Sequence, residues 1–223
     1  MASFRRWRAP FDRMPKDLEQ VLGRGGVVIY PTETVYGVGG DPRNAAVIER
    51  IVTLKGRPGH KPFPLIAVDL DSVRHWVRWR PDPLDRLAKR FWPGPLTLVL
   101  QAASNVPKSL QSAEGTVAVR VSAHPVATLM AKACGGALVA TSANLSGQPP
   151  VSNPAALSRA LLDAVDGLVD GGPLPPSLPS TLVAVIFEKE GFSWKVLRKG
   201  AVLEEDLAAF FHEETVAAST EDL

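Results

Sequence analysis

An α/β fold built on a mixed sheet is the architecture that this sequence predicts. Short β-type runs alternate with helical patterns along the chain, the signature of sheet covered by helices. Two junctions depart from a strict strand–helix–strand series. The runs at 96–100 and 117–121 are separated by a loop-like stretch without a strong helix. Those at 181–187 and 194–197 are joined by Glu188-Lys189-Glu190-Gly191, a hairpin signal. Part of the sheet is therefore expected to be antiparallel. The chain carries 20 prolines in 223 residues, above the usual ~5%. They fall at element boundaries and mark ordered connections.

Taken in order, a helical pattern at 16–22 leads into a strand at 27–30. Pro31 lacks an N–H, and Gly37 and Gly39 tolerate positive φ, so regular structure is expected to stop after Tyr30. A helix at 44–54 opens on Asn44, a capping residue ahead of Val47, Ile48, Ile51 and Val52. A strand at 64–68, helices at 72–77 and 83–91, and the strands at 96–100 and 117–121 follow. Then come a helix at 125–133, a strand at 138–140 and a helix at 154–161. Asn153-Pro154 opens that helix with a capping side chain before a first-position proline. Strands at 167–169, 181–187 and 194–197 and a helix at 204–211 complete the series. No internal repeat is visible. Residues 15–211 read as one domain between a basic tail, 1–14, and an acidic tail, 212–223, both expected as solvated ends.

Composition narrows the function classes. A formal charge of +2 is far from that of a bulk nucleic-acid binder. No apolar run approaches the ~18 residues of a membrane span, and no apolar segment follows Arg5, Arg6 and Arg8 as in a secretory signal. The expectation is a cytoplasmic protein with no membrane contact. Cys134, the single cysteine, cannot form an intrachain disulfide and reads as a buried small residue. Neither a P-loop, a dinucleotide fingerprint, a nucleophile elbow nor a metal-type histidine spacing is present.

Several segments carry chemistry instead. Tyr30-Pro31-Thr32-Glu33-Thr34-Val35-Tyr36-Gly37 delivers hydroxyls to a strand end, though a plain polar loop has the same composition. Lys55, Arg57 and Lys61 put three cations within seven residues. They can surround a polyphosphate or, for Lys55 and Arg57, simply favour the end of a helix. Thr141-Ser142-Ala143-Asn144 follows a strand, where ligands commonly sit in α/β sheets, or forms a self-satisfied turn. Arg120 and Arg198 end strands, so no helix dipole accounts for them; either can be a solvated edge residue.

These segments, with Lys55-Gly56-Arg57-Pro58, Pro64-Leu65-Ile66, Phe91-Trp92-Pro93-Gly94-Pro95-Leu96-Thr97, Val119-Arg120-Val121, Ser180-Thr181 and Arg198-Lys199-Gly200-Ala201, occur in the order of the YrdC-like domain. The chain resembles that family, in its single-domain form, over roughly residues 15 to 205. The resemblance implies an open twisted mixed sheet flanked by helices, with a large concave basic cavity. It implies a threonylcarbamoyladenylate synthase, a nucleotidyltransferase that joins L-threonine, bicarbonate and ATP and releases pyrophosphate, with Mg2+ entering with ATP. The product would serve N6-threonylcarbamoyl modification of tRNA adenosine 37 through a threonylcarbamoyltransferase complex. The implied L-threonine contacts are Thr32, Thr34, Arg120 and Ser180. The implied ATP contacts are Arg57, Lys61, Thr116, Ser142, Asn144 and Arg198, with Lys55 and Arg57 as catalytic cations. Two alternatives stand beside this reading: a non-catalytic YrdC-like protein binding tRNA or double-stranded RNA, and a carbamoyl-adenylate enzyme using carbamoyl phosphate.

Overall fold

A computed structural model describes residues 4–56, 62–189 and 191–221. In chain order the elements are β1 (Arg5–Arg8), α1 (Lys16–Gly23), β2 (Val28–Tyr30), β3 (Gly37–Gly39), α2 (Ala45–Lys55), β4 (Leu65–Ala67), α3 (Leu70–Arg74), α4 (Pro81–Phe91), β5 (Leu96–Gln101) and β6 (Thr116–Val121). After them come α5 (Pro125–Ala133), β7 (Ala137–Val139), β8 (Thr141–Ser142), α6 (Arg159–Asp163), β9 (Gly167–Asp170), β10 (Thr181–Phe187), β11 (Phe192–Arg198) and α7 (Glu204–Glu221).

The fold is mixed α/β, as expected, but its ladders divide into two sheets rather than one. The first has strand order β1-β9-β2-β3-β8 and the second β11-β10-β5-β6-β4-β7. The chain passes from the second sheet to the first between β7 and β8, across Ala140. The β10–β11 hairpin is antiparallel, and β5 and β6 also pair antiparallel.

Strand alternation builds the core of the second sheet. Val183, Leu98, Val119, Leu65 and Val139 face one another across β10, β5, β6, β4 and β7, and every one is fully buried. Burying each such side chain is worth roughly 1.5–3 kcal/mol. The alternate positions, among them Thr97, Val99, Ala118, Arg120 and Leu182, point to the opposite face, and that face is where the cavity lies. Helix ends follow local chemistry. The Asn44 side chain accepts from the Ala46 N–H at 3.0 Å, and Gly56, at φ +53°, closes α2.

Four expectations need correction. Residues 5–8 are not part of a solvated tail. They form β1, held parallel to β9, with Trp7 8% exposed and its indole N–H donating to Asp17 at 2.9 Å. The acidic segment from 212 continues α7, and Glu214 is buried where it accepts from Arg86 at 2.7 Å. The expected helix 154–161 is a single 3-10 turn, Pro154–Ala156, followed by α6, because Ser158 caps a new start by accepting from the Leu161 N–H. Finally, Gly37 and Gly39 lie in a strand, and neither has positive φ. They are needed for closeness. A Cβ on Gly39 would sit 1.7 Å from the Val139 carbonyl oxygen, and one on Gly37 would sit 3.0 Å from the Tyr30 ring. Among the described residues, no helix is long and apolar enough to cross a membrane.

Candidate active site

A cavity of about 410 Å³ opens over the polar face of the second sheet, walled by the turn after β2, by β8 and by the segment before β10. Its floor follows from the alternation of β5 and β6: Leu98 and Val119 face the core, so Thr97, Ala118 and Arg120 face the cavity.

The turn after β2 organises itself around Thr32. Its hydroxyl donates to the Val35 carbonyl at 2.7 Å, receives the N–H groups of Thr34 and Val35, and lies 3.1 Å from the Thr34 hydroxyl. Thr32 thus shapes the loop and Thr34 is the more available hydroxyl of the two. Tyr36 closes the turn from behind: its hydroxyl donates to the Gly172 carbonyl at 2.8 Å and accepts from the Gly171 N–H at 2.9 Å.

Arg120 is buried and ion-paired. Its Nη1 donates to one carboxylate oxygen of Glu33, and the Ser122 hydroxyl donates to the other. A guanidinium carries five N–H donors in a fixed fork, so holding one corner orients the rest. Ser122 also accepts from the His124 N–H, and His124 caps α5 by accepting from Val126 through Nδ1 at 3.2 Å. Burial holds the His124 imidazole below its ordinary pKa, with the Glu33 charge opposing.

On the far wall, Arg198 grips Ser180. Its Nη2 donates to the Ser180 carbonyl at 2.8 Å and to the Ser180 hydroxyl at 3.1 Å, and its Nε to the same carbonyl at 3.2 Å. The Thr97 hydroxyl meets the Ser180 hydroxyl at 2.8 Å. Burial, then the nearby Arg120 charge, lowers the Arg198 pKa. Gly200 lets this wall close: a Cβ there would sit 2.2 Å from the Pro179 carbonyl oxygen and 2.6 Å from the Ser180 carbonyl carbon.

The β8 corner depends on Lys55. Its ammonium, 1% exposed as a residue, donates to the carbonyls of Ser142 (2.9 Å) and Asn144 (2.6 Å) and to the Asn144 amide oxygen (2.9 Å). The Ser142 hydroxyl donates to that same amide oxygen. Lys55 therefore helps hold the 142–144 loop in shape. Thr116 opens β6 with its hydroxyl 2.8 Å from that of Ser112.

Of the residues nominated from sequence, Thr32, Thr34, Thr116, Arg120, Ser142, Ser180 and Arg198 line this one cavity. Lys55 and Asn144 stand behind Ser142. Arg57 and Lys61 lie outside the described residues. Glu33 and Thr97 belong to the site and were not singled out by the sequence, although both sit inside quoted motifs. Their signal was a carboxylate flanked by threonines and a hydroxyl on an otherwise apolar strand. Cys134 is buried away from the cavity, and burial pushes its thiol up to about 12. Among the described residues, no group of three or more His, Cys, Asp or Glu side chains could hold a metal ion.

Residues 20–200 match the Sua5/YciO/YrdC family, described as Telomere recombination. A protein of Xanthomonas axonopodis pv. citri (strain 306) named threonylcarbamoyl-AMP synthase is 43% identical over 154 residues, covering 67% of this chain and 81% of that protein. The crystal structure of P. abyssi Sua5 complexed with L-threonine superposes with a TM-score of 0.81 at 29% identity. That likeness covers 92% of this chain, which spans 59% of the P. abyssi chain. E. coli YciO gives a TM-score of 0.77 at 26% identity, covering 90% and 96% of the two chains.

Proposed function

The chain belongs to the Sua5/YciO/YrdC family, and from that premise we propose that it is a threonylcarbamoyl-AMP synthase. It makes threonylcarbamoyl-AMP and pyrophosphate from L-threonine, bicarbonate and ATP. The observation that carries this reading is the convergence of Thr34, Arg120, Ser142, Ser180 and Arg198, remote in sequence, on a single cavity.

The chemistry needs no protein nucleophile. The threonine amine attacks bicarbonate carbon, water leaves, and a carbamate forms. A carbamate oxygen then attacks the α-phosphorus of ATP, and the bond to the β,γ-pyrophosphate breaks. Negative charge moves between oxygens throughout, so orientation and fixed positive charge account for the catalysis. Arg120, oriented by Glu33, holds the threonine carboxylate, and Thr34 and Ser180 hydrogen-bond the amino acid. Arg198, with Thr116 and Ser142, faces the nucleotide, and Arg57 and Lys61 are assigned to its phosphates. Lys55 contributes by fixing the Ser142–Asn144 loop. Magnesium enters with ATP, bound mainly through phosphate oxygens. The adenylate is labile and passes to a separate threonylcarbamoyltransferase complex for modification of tRNA adenosine 37.

The test is incorporation of labelled bicarbonate into the adenylate, omitting ATP and L-threonine in turn. Dependence on both is expected. An Arg57→Ala variant should lose at least tenfold, since a charge-assisted bond is worth roughly 1.5–3 kcal/mol. RNA binding without any adenylate would replace this function with a non-catalytic RNA-binding one.

A further inference from the structure

We infer that Thr97 is a positioning residue that makes Ser180 a hydrogen-bond donor toward the bound amino acid. The inference deepens the proposed function and rests on it.

Two hydroxyls here share a small number of protons and lone pairs. Ser180 Oγ has one proton and two lone pairs. Arg198 can only donate, so its Nη2, 3.1 Å away, occupies one lone pair. The contact with Thr97 Oγ1 at 2.8 Å admits two directions. If Ser180 donated to Thr97, the Thr97 proton would be left without an acceptor among the described residues, on a side chain only 1% exposed. Leaving a buried donor unmet is costly, because it has lost its bond to water and gained none in return. If Thr97 donates instead, its proton is satisfied and the second Ser180 lone pair is filled. The Ser180 proton is then the group left over, on the more exposed residue of the pair, at 8%.

This fixes the polarity of one point in the cavity. Ser180 meets an oxygen of the ligand, from its carboxylate or side-chain hydroxyl, and does not accept from the ammonium. Thr97, on the cavity floor but only 1% exposed, acts through Ser180. Its backbone lies in β5 beside Leu182 of β10, so the hydroxyl contact joins β5 to the residue that leads into its neighbouring strand.

The experiment is titration calorimetry of L-threonine and, separately, of ATP with wild type, Thr97→Val, Thr97→Ser, Ser180→Ala and the Thr97→Val/Ser180→Ala double variant. Valine keeps the shape and the strand preference while removing the hydroxyl. Thr97→Val should weaken L-threonine about fivefold, as expected for one neutral hydrogen bond, and leave ATP within about twofold. Thr97→Ser should restore wild-type affinity, and Thr97→Val should add nothing in the Ser180→Ala background. An unchanged affinity in Thr97→Val overturns the inference. So does an equal loss in the Ser180→Ala background, or failure of Thr97→Ser to restore binding. Wild-type protein that binds no L-threonine would instead remove the functional reading itself, a result seen before any variant is compared.

Discussion

Two corners of the cavity use a cation to hold a hydroxyl-bearing segment, and they use it differently. At the β8 corner, Lys55 is buried and gives its protons to three acceptors on Ser142 and Asn144. At the β10–β11 corner, Arg198 is exposed and gives Nε and Nη2 to Ser180, while Nη1 has no partner among the described residues. An ammonium has three protons, and Lys55 directs them at the loop it holds. A guanidinium has five, so Arg198 can brace Ser180 and still face a ligand. Cations from neighbouring motifs thus differ in role through donor arithmetic, which residue type and charge alone do not reveal.

Four substitutions test that contrast. Lys55→Met should have the largest effect, because it removes the donor to three part-buried acceptors. A loss of about 3 kcal/mol in urea unfolding is expected, with adenylate formation falling alongside; an undiminished midpoint would make Lys55 something other than a brace. Gly200→Ala comes next. Its Cβ meets fixed backbone at Pro179 and Ser180, and about 2 kcal/mol of destabilisation is expected, together with weaker L-threonine binding by calorimetry. Arg198→Gln should sharpen the difference: unfolding should shift by less than about 1 kcal/mol, while ATP affinity drops at least tenfold. If stability falls as far as in Lys55→Met, the two corners are alike after all.

The smallest effect concerns the patch behind Arg120. The folded pKa of His124 is depressed by burial, so the folded state prefers the neutral ring, whose Nδ1 caps α5. Protonation therefore favours unfolding. Stability should be undiminished above the unfolded value of about 6.5 and decline as pH falls below it. His124→Asn keeps a capping acceptor without titrating, and its urea midpoint should vary less between pH 7 and pH 5 than that of wild type.

How much of this was legible in the sequence depends on where the determining contact lies. The strand at 181–187 and the helix at 125–133 match their observed limits, because alternation and an opening proline are local signals. The strand at Arg5–Arg8 was not legible. Three of its four residues are arginine, and only pairing with β9 and the burial of Trp7 make it a strand. Gly37-Val38-Gly39 read as a breaker because local rules assign glycine to turns, whereas here it admits a neighbouring carbonyl. In the site, Thr34, Arg120, Ser180 and Arg198 were named from motif order and lie together. Glu33 and Thr97 were not, since each matters through a partner far along the chain, Arg120 or Ser180, and such pairings have no local trace.

The order β1-β9-β2 has a consequence for how the molecule is made. The two earliest strands never touch each other in that ladder; a segment from near the other end of the chain sits between them. During synthesis the ribosome must release residues 167–170 before that sheet can close, and until then the backbone edge of β2 that pairs with β9 is without its partner. Such long-range closure is slow and leaves sticky edges exposed. A chain halted before Gly167 therefore lacks the strand that joins β1 to β2.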